Sequence, residues 1–306
     1  MRNLIIIFTL FALTGCTYMF ELKESDMKPM IAVRSKICAD SSVVIKVHKT
    51  VPLTQIGKMD TTLLSPNYSL KCNGAVVETT YEMDGEGGMI IKAAPFKSGD
   101  KLEFTFSTDD METANAVTEI PPIFPKSIVT LFSSGSLKIA YEDDPEEDNY
   151  YAAMVTWRGQ RANYDNEGNL VPGFEITDAS IYIPVDLEAI NLNPGVYSPK
   201  VSTLDGKYIY FWSDKDEEDN VYDLMYNYTY QGDHILDREV RCSLFCLSED
   251  MYRTLFAEYD SNYNPFANLG LSSPSFTYSN VRDGFGHFCS YSVTQSPWIA
   301  DPVITQ

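Results

Sequence analysis

Histidine, tryptophan and basic residues are all scarce in this chain of 306 residues. It has three His, three Trp, and 23 Lys plus Arg against 43 Asp plus Glu, for a formal net charge of −20. Such a chain offers no basic surface to a phosphate backbone, so nucleic acid is not expected as a partner. His48, His234 and His287 stand apart, with no His-x-x-x-His or Cys-x-x-Cys pair. Zinc needs three or four converging ligands, and this spacing assembles none. Gly-x-Ser-x-Gly, a Walker sequence and His-Glu-x-x-His are also missing. No enzyme and no cofactor are therefore expected. No apolar run reaches the roughly 20 residues of a membrane-spanning helix.

What is present begins at the first residue. Arg2 gives a short positive head, and Leu4 to Leu13 is apolar apart from Thr9. That length suits the core of a signal peptide and is too short to span a bilayer. Leu13-Thr14-Gly15-Cys16 follows at once. It resembles the lipobox of bacterial lipoproteins, an aliphatic residue, a small residue, Gly or Ala, then Cys. The resemblance implies cleavage after residue 15 and acylation of Cys16. Each buried methylene contributes about 0.8 kcal/mol, and two or three chains hold a protein that one chain holds only marginally. Residues 16–28 read as a tether with mixed charge (Glu21, Lys23, Glu24, Asp26).

Almost everything after the tether reads as strand. Ile31 to Ile37 and Leu102 to Phe106 alternate apolar and polar residues, as half-buried strands do. Asn73-Gly74 joins two short strands, and both residues accept the positive φ of a tight hairpin. About seven such strands in residues 29–122 predict an immunoglobulin-like β-sandwich. Pro121, Pro122 and Pro125 then mark a boundary. Residues 126–296 predict a larger β-rich sandwich domain with one short helix, and 297–306 a tail. Within it, Tyr208 to Trp212 pairs with Val221 to Tyr230, and a last strand pair surrounds Asp283 to Gly286. Ser248 is placed to cap the helix, and Met251, Leu255 and Tyr259 give it one apolar face over about 249–260. The fold class is mainly β.

Two groups of residues are candidate sites. Residues 142–148 carry six carboxylates in seven positions, and 214–219 carry five in six. Asp143, Asp144, Glu146, Asp214, Asp216 and Asp219 would offer oxygen ligands to calcium, which takes six to eight. Neither loop has the spaced calcium-loop pattern, and a solvated hairpin loop is the preferred reading. Tyr210, Trp212, Tyr222 and Tyr226 sit on aromatic strands and would form a stacking platform for sugar rings or peptide side chains. Sheet packing explains the same tyrosines and is preferred. With Cys16 acylated, Cys38, Cys72, Cys242, Cys246 and Cys289 remain, an odd number. Cys38 with Cys72, or Cys289 with Cys242 or Cys246, are the cross-strand pairs to test. A glycan hydrolase would need two carboxylates at a fixed separation in a cleft.

Several stretches resemble one family in the same order. Phe96-Lys-Ser-Gly-Asp-Lys-Leu-Glu-Phe104 leads into an alternating strand, and Asp144-Pro-Glu-Glu-Asp-Asn-Tyr-Tyr151 is an acidic turn before an aromatic strand. Leu247-Ser-Glu-Asp-Met-Tyr252, Asn264-Pro-Phe266, Tyr278-Ser-Asn-Val281 and Asp283-Gly-Phe-Gly-His-Phe288 follow. Together with the lipobox they are similar to Bacteroidetes lipoproteins of the domain-of-unknown-function 4249 family. Asp283 departs from the Asn or Gly more usual there. The resemblance implies an outer-membrane lipoprotein, on either face, held by its N-terminal lipid. It implies a non-catalytic accessory of a TonB-dependent β-barrel receptor. The alternative is a fimbrial, adhesive or structural surface lipoprotein.

Overall fold

The computed structural model describes residues 28–51, 57, 59–133, 135–143, 146–181, 189–191, 200–214, 221–227, 235–263 and 278–301. The leader, Leu13, Thr14, Gly15, Cys16 and the tether up to Met27 lie outside the described residues. The protein is mainly β, with one helix among the described residues.

The first eight strands are β1 (Ile31–Cys38), β2 (Val43–Lys49), β3 (Asn67–Cys72), β4 (Ala75–Val76), β5 (Thr79–Met83), β6 (Met89–Ala93), β7 (Lys101–Thr108) and β8 (Met111–Glu119). They form two facing layers, ordered β1-β2-β6-β5 and β4-β3-β7-β8. That strand order is the immunoglobulin-type arrangement. Sequence alternation sets the core. Val43, Ile45 and Val47 are buried on β2, and Leu102, Phe104 and Phe106 on β7, while the residues between them turn outward. Asn73 and Gly74 take φ of 51° and 82°, so the expected hairpin joins β3 to β4. β5 is the strand that the sequence pattern did not show. It lies at the end of its sheet with Tyr81 and Met83 exposed, so no buried alternation marks it.

The later strands are β9 (Ser127–Ser133), β10 (Ser136–Glu142), β11 (Tyr150–Tyr164), β12 (Leu170–Ser180), β13 (Ala189–Asn191), β14 (Lys200–Leu204), β15 (Lys207–Ser213), β16 (Val221–Asn227), β17 (Ile235–Leu247), β18 (Phe285–Gln295) and β19 (Ile299–Ala300). One small sheet runs β13-β16-β10-β9. The others extend the first sheet, which reads β14-β15-β11-β17-β18-β1-β2-β6-β5, with β12 on β11 and β19 on β17. Two local expectations change. β15 pairs with β11 and β14, whereas β16 pairs with β10 and β13, so the two aromatic strands belong to different sheets. The chain around Asp283 holds a single bridge, Arg282 to Asn115, and then one strand, β18, rather than a pair.

Three apolar cores result among the described residues. The first fills the sandwich and takes in Val281 and Phe288 from the far end of the chain. The second lies between the small sheet and the long one, with Leu137 and Ile139 meeting Ala153, Val155 and Leu244. The third covers the other face of the long sheet, where Ala152, Met154 and Phe211 meet the helix α1 (Glu249–Tyr263). Met251 and Leu255 are buried and Tyr259 is half-buried, as the periodicity predicts. Ser248 Oγ accepts the Met251 amide at 3.2 Å, which is the expected N-cap, and accepts the Ser290 amide at 3.2 Å as well. One hydroxyl thus ties α1 to β18.

All five described cysteines are free thiols. Cys242 and Cys246 point into the second core and Cys289 into the third, on the opposite face of the sheet. Cys38 and Cys72 border different cores. Neither proposed pairing has its sulfurs on a common face.

β1 and β18 join the two ends of the chain. They pair in parallel, from Ala32 with Phe285 to Cys38 with Tyr291. Gly286 makes this approach. Its φ is 106°, and a Cβ there would sit 2.1 Å from the Val33 carbonyl oxygen. Gly286→Ala should destabilise the protein by about 1–3 kcal/mol or more, the usual scale of enforced backbone strain. Ser248→Ala should cost about 1 kcal/mol through the lost cap. Urea midpoints at unchanged m-value measure both, and a Gly286→Ala midpoint equal to wild type would contradict this account of the junction.

Candidate functional site

Asp143 and Asp214, one from each acidic run, meet because the chain crosses between sheets at both places. The chain leaves β10 in the small sheet and enters β11 in the long one, and after β15 it passes back to β16. Asp143 follows β10 directly and Asp214 follows β15 directly. The crossings therefore place these two carboxyls at one corner of the molecule. β10 and β11 lie in different sheets, as do β15 and β16, so neither acidic run joins the two strands of a hairpin.

Backbone bonds lock the corner. The Asn149 amide donates to Asp214 Oδ1 at 2.6 Å, and the Asp214 amide donates to the Asn149 carbonyl at 3.2 Å. The Tyr151 hydroxyl donates to Asp143 Oδ1. Asp214 is only 7% exposed. Burial pushes its carboxyl up to about 8, and a hydrogen bond with Asp143 adds to the shift, because a shared proton relieves two adjacent negative charges. Burial and the same neighbour hold the Tyr151 phenol far above its ordinary range. Asp214 thus holds its proton well above the usual carboxylate range. Hydrogen-bonded carboxyls are too close to flank a glycosidic bond, which takes about 5–9.5 Å between them.

Beneath the corner the aromatics are packed. Phe124 meets Tyr141 and Tyr151 edge-on, with centroids 5.0 Å apart in each case. Trp212 donates its Nε1 hydrogen to the Tyr141 hydroxyl at 2.9 Å. Of the platform candidates, Tyr210 and Trp212 are 4% and 1% exposed and belong to the second core. Tyr222 and Tyr226 lie on β16, opposite Tyr141 and Leu137, and their side chains are outside the described residues. Of the loop candidates, Glu146 is exposed, while Asp144, Asp216 and Asp219 are outside the described residues. Among the described residues no three His, Cys, Asp or Glu side chains converge to hold a metal ion. Tyr151 and Asn149 complete the corner; the sequence places them at the end of the acidic turn without marking them as site residues. Their adjacency to the acidic run was the available signal.

The corner predicts a pH response. The folded Asp214 binds its proton more tightly than the unfolded chain does. Stability from this group is therefore present below about pH 4 and is lost as pH rises toward about 8. Asp214→Asn keeps the acceptor for the Asn149 amide and gives Asp143 a permanent donor. The variant should match wild type in thermal midpoint at about pH 3.5 and exceed it at about pH 8. Equal slopes of midpoint against pH would refute the shared proton.

No curated protein matches this chain. Similar solved structures include a titin fragment at TM-score 0.23 and 10% identity, over 72% of this chain and 91% of that one. The tandem Ig repeats of Dlar are similar at 0.21 and 11%, over 72% and 89%. The adhesin InvE of Yersinia pseudotuberculosis is similar at 0.22 and 8%, over 73% and 56%. A family model described as a domain of unknown function, DUF4249, matches residues 17–296, and the chain belongs to that family.

Proposed function

We propose that this protein is a lipid-anchored component of the bacterial outer membrane and serves a TonB-dependent uptake receptor as a non-catalytic accessory. The observation that carries the reading is Leu13-Thr14-Gly15-Cys16 behind a charged head and a ten-residue apolar core. Among the described residues no helix is long and apolar enough to cross a membrane, and an acylated Cys16 would attach the body without one. The packed corner and the buried aromatics suit a rigid binding body better than a reaction centre.

A second reading has one observation in its favour. β5 ends the long sheet, and Tyr81 and Met83 are exposed on it, as a strand open to pairing would be. A surface adhesive or structural lipoprotein would use such an edge to assemble.

Radioactive palmitate supplied to the native bacterium should label the wild-type protein and not Cys16→Ala, and the variant should leave the membrane fraction. Equal labelling of both would overturn the anchor. A pull-down from gently solubilised outer membrane should then recover a β-barrel receptor in stoichiometric amount. Recovery of self-assembled polymers alone would move the assignment to the adhesive reading.

A further inference from the structure

A second feature lies at the entry to the body, away from the acidic corner. A groove of about 1010 Å³ opens where the chain reaches β1. Its apolar lining is Pro29, Met30, Val51, Met111 and Phe285, with Met30 40% exposed. Its rim carries Asp109, Asp110, Glu112 and Asp283, all exposed. Lys28 lines it too, and Lys49 answers Asp110 at 2.7 Å. Three rim carboxylates, Asp109, Glu112 and Asp283, exceed the one remaining lysine. An apolar trough under a negative rim fits a segment whose own apolar side chains are flanked by Lys or Arg.

Charge decides between occupants. The chain's own tether carries Glu21, Glu24 and Asp26 against Lys23, and a second copy of this chain is acidic throughout. Both are repelled by the rim. Position then narrows the partner. Lys28 lies twelve positions after Cys16, a reach of at most roughly 40 Å when extended. A lipid on Cys16 would keep the groove within that distance of the bilayer. We propose that this groove docks a basic, apolar-bearing segment of a membrane-embedded partner. The membrane half of the statement rests on the lipid anchor proposed above. The basic and apolar half rests on the groove alone.

The test uses the full mature protein in detergent and two amidated peptides, one alternating Lys with Leu and Phe, the other with Glu in place of each Lys. The Lys peptide should bind and the Glu peptide should not, read by fluorescence anisotropy. Asp109→Lys with Glu112→Lys should weaken binding at least tenfold. Glu167→Lys with Glu175→Lys, an equal charge change on the distant hairpin of β11 and β12, should leave it within twofold. Equal losses in both doubles, or binding of neither peptide, would overturn the groove as a docking site. In native membranes, a photo-crosslinker replacing Met111 should map to a Lys- or Arg-rich segment of an integral membrane protein. Crosslinks to residues 17–27, to a second copy or to nothing would overturn the partner. If Cys16→Ala abolishes neither labelling nor membrane association while the Lys peptide still binds at the rim, the anchor fails and the groove stands.

Discussion

The parallel pairing of β1 with β18 is the contact on which the rest of the molecule depends. β18 alternates between two roles. Phe288 completes the core of the first sandwich, while Cys289, Tyr291 and Val293 face the helix side of the second half. The hydroxyls of Ser290 and Ser292 donate to the carbonyls of Glu119 and Pro122, where the chain leaves the sandwich. The period-2 geometry of a strand makes this division unavoidable, since neighbouring residues must look opposite ways. One strand therefore serves two cores, and the long sheet runs through both halves without interruption.

Local order was legible in the residues. Buried alternation in β2 and β7, the Asn73-Gly74 hairpin and the Ser248 cap each depend on neighbours a few positions apart. Pairings between distant strands were not legible. Nothing in Ile31 to Cys38 announces Phe285 to Tyr291 as a neighbour, because both strands satisfy the same alternation against any partner. The trace that did exist was Gly286, a glycine inside a strand, which marks close backbone approach.

The candidate corner shows the same division. Composition located both acidic runs, and the aromatic strands beside them. It could not show that each run changes sheets. Once Asp143 and Asp214 are understood as the first residues of two opposite crossings, their meeting follows from topology, and the raised Asp214 follows from burial. The aromatic candidates were ambiguous for a simpler reason. Tyrosine suits both a stacking surface and a half-wet core, and only the position of the second sheet decides for Tyr210 and Trp212.

The junction of β1 and β18 also has a mechanical consequence. The strands run in the same direction, with seven aligned residue pairs. A pull on the chain ahead of Met30, opposed by anything gripping the far half of the body, acts along β1. The pairs then carry the load together in shear, instead of opening one after another from an end. Tension arriving from the N-terminal side thus meets the fold at the seam that both halves share.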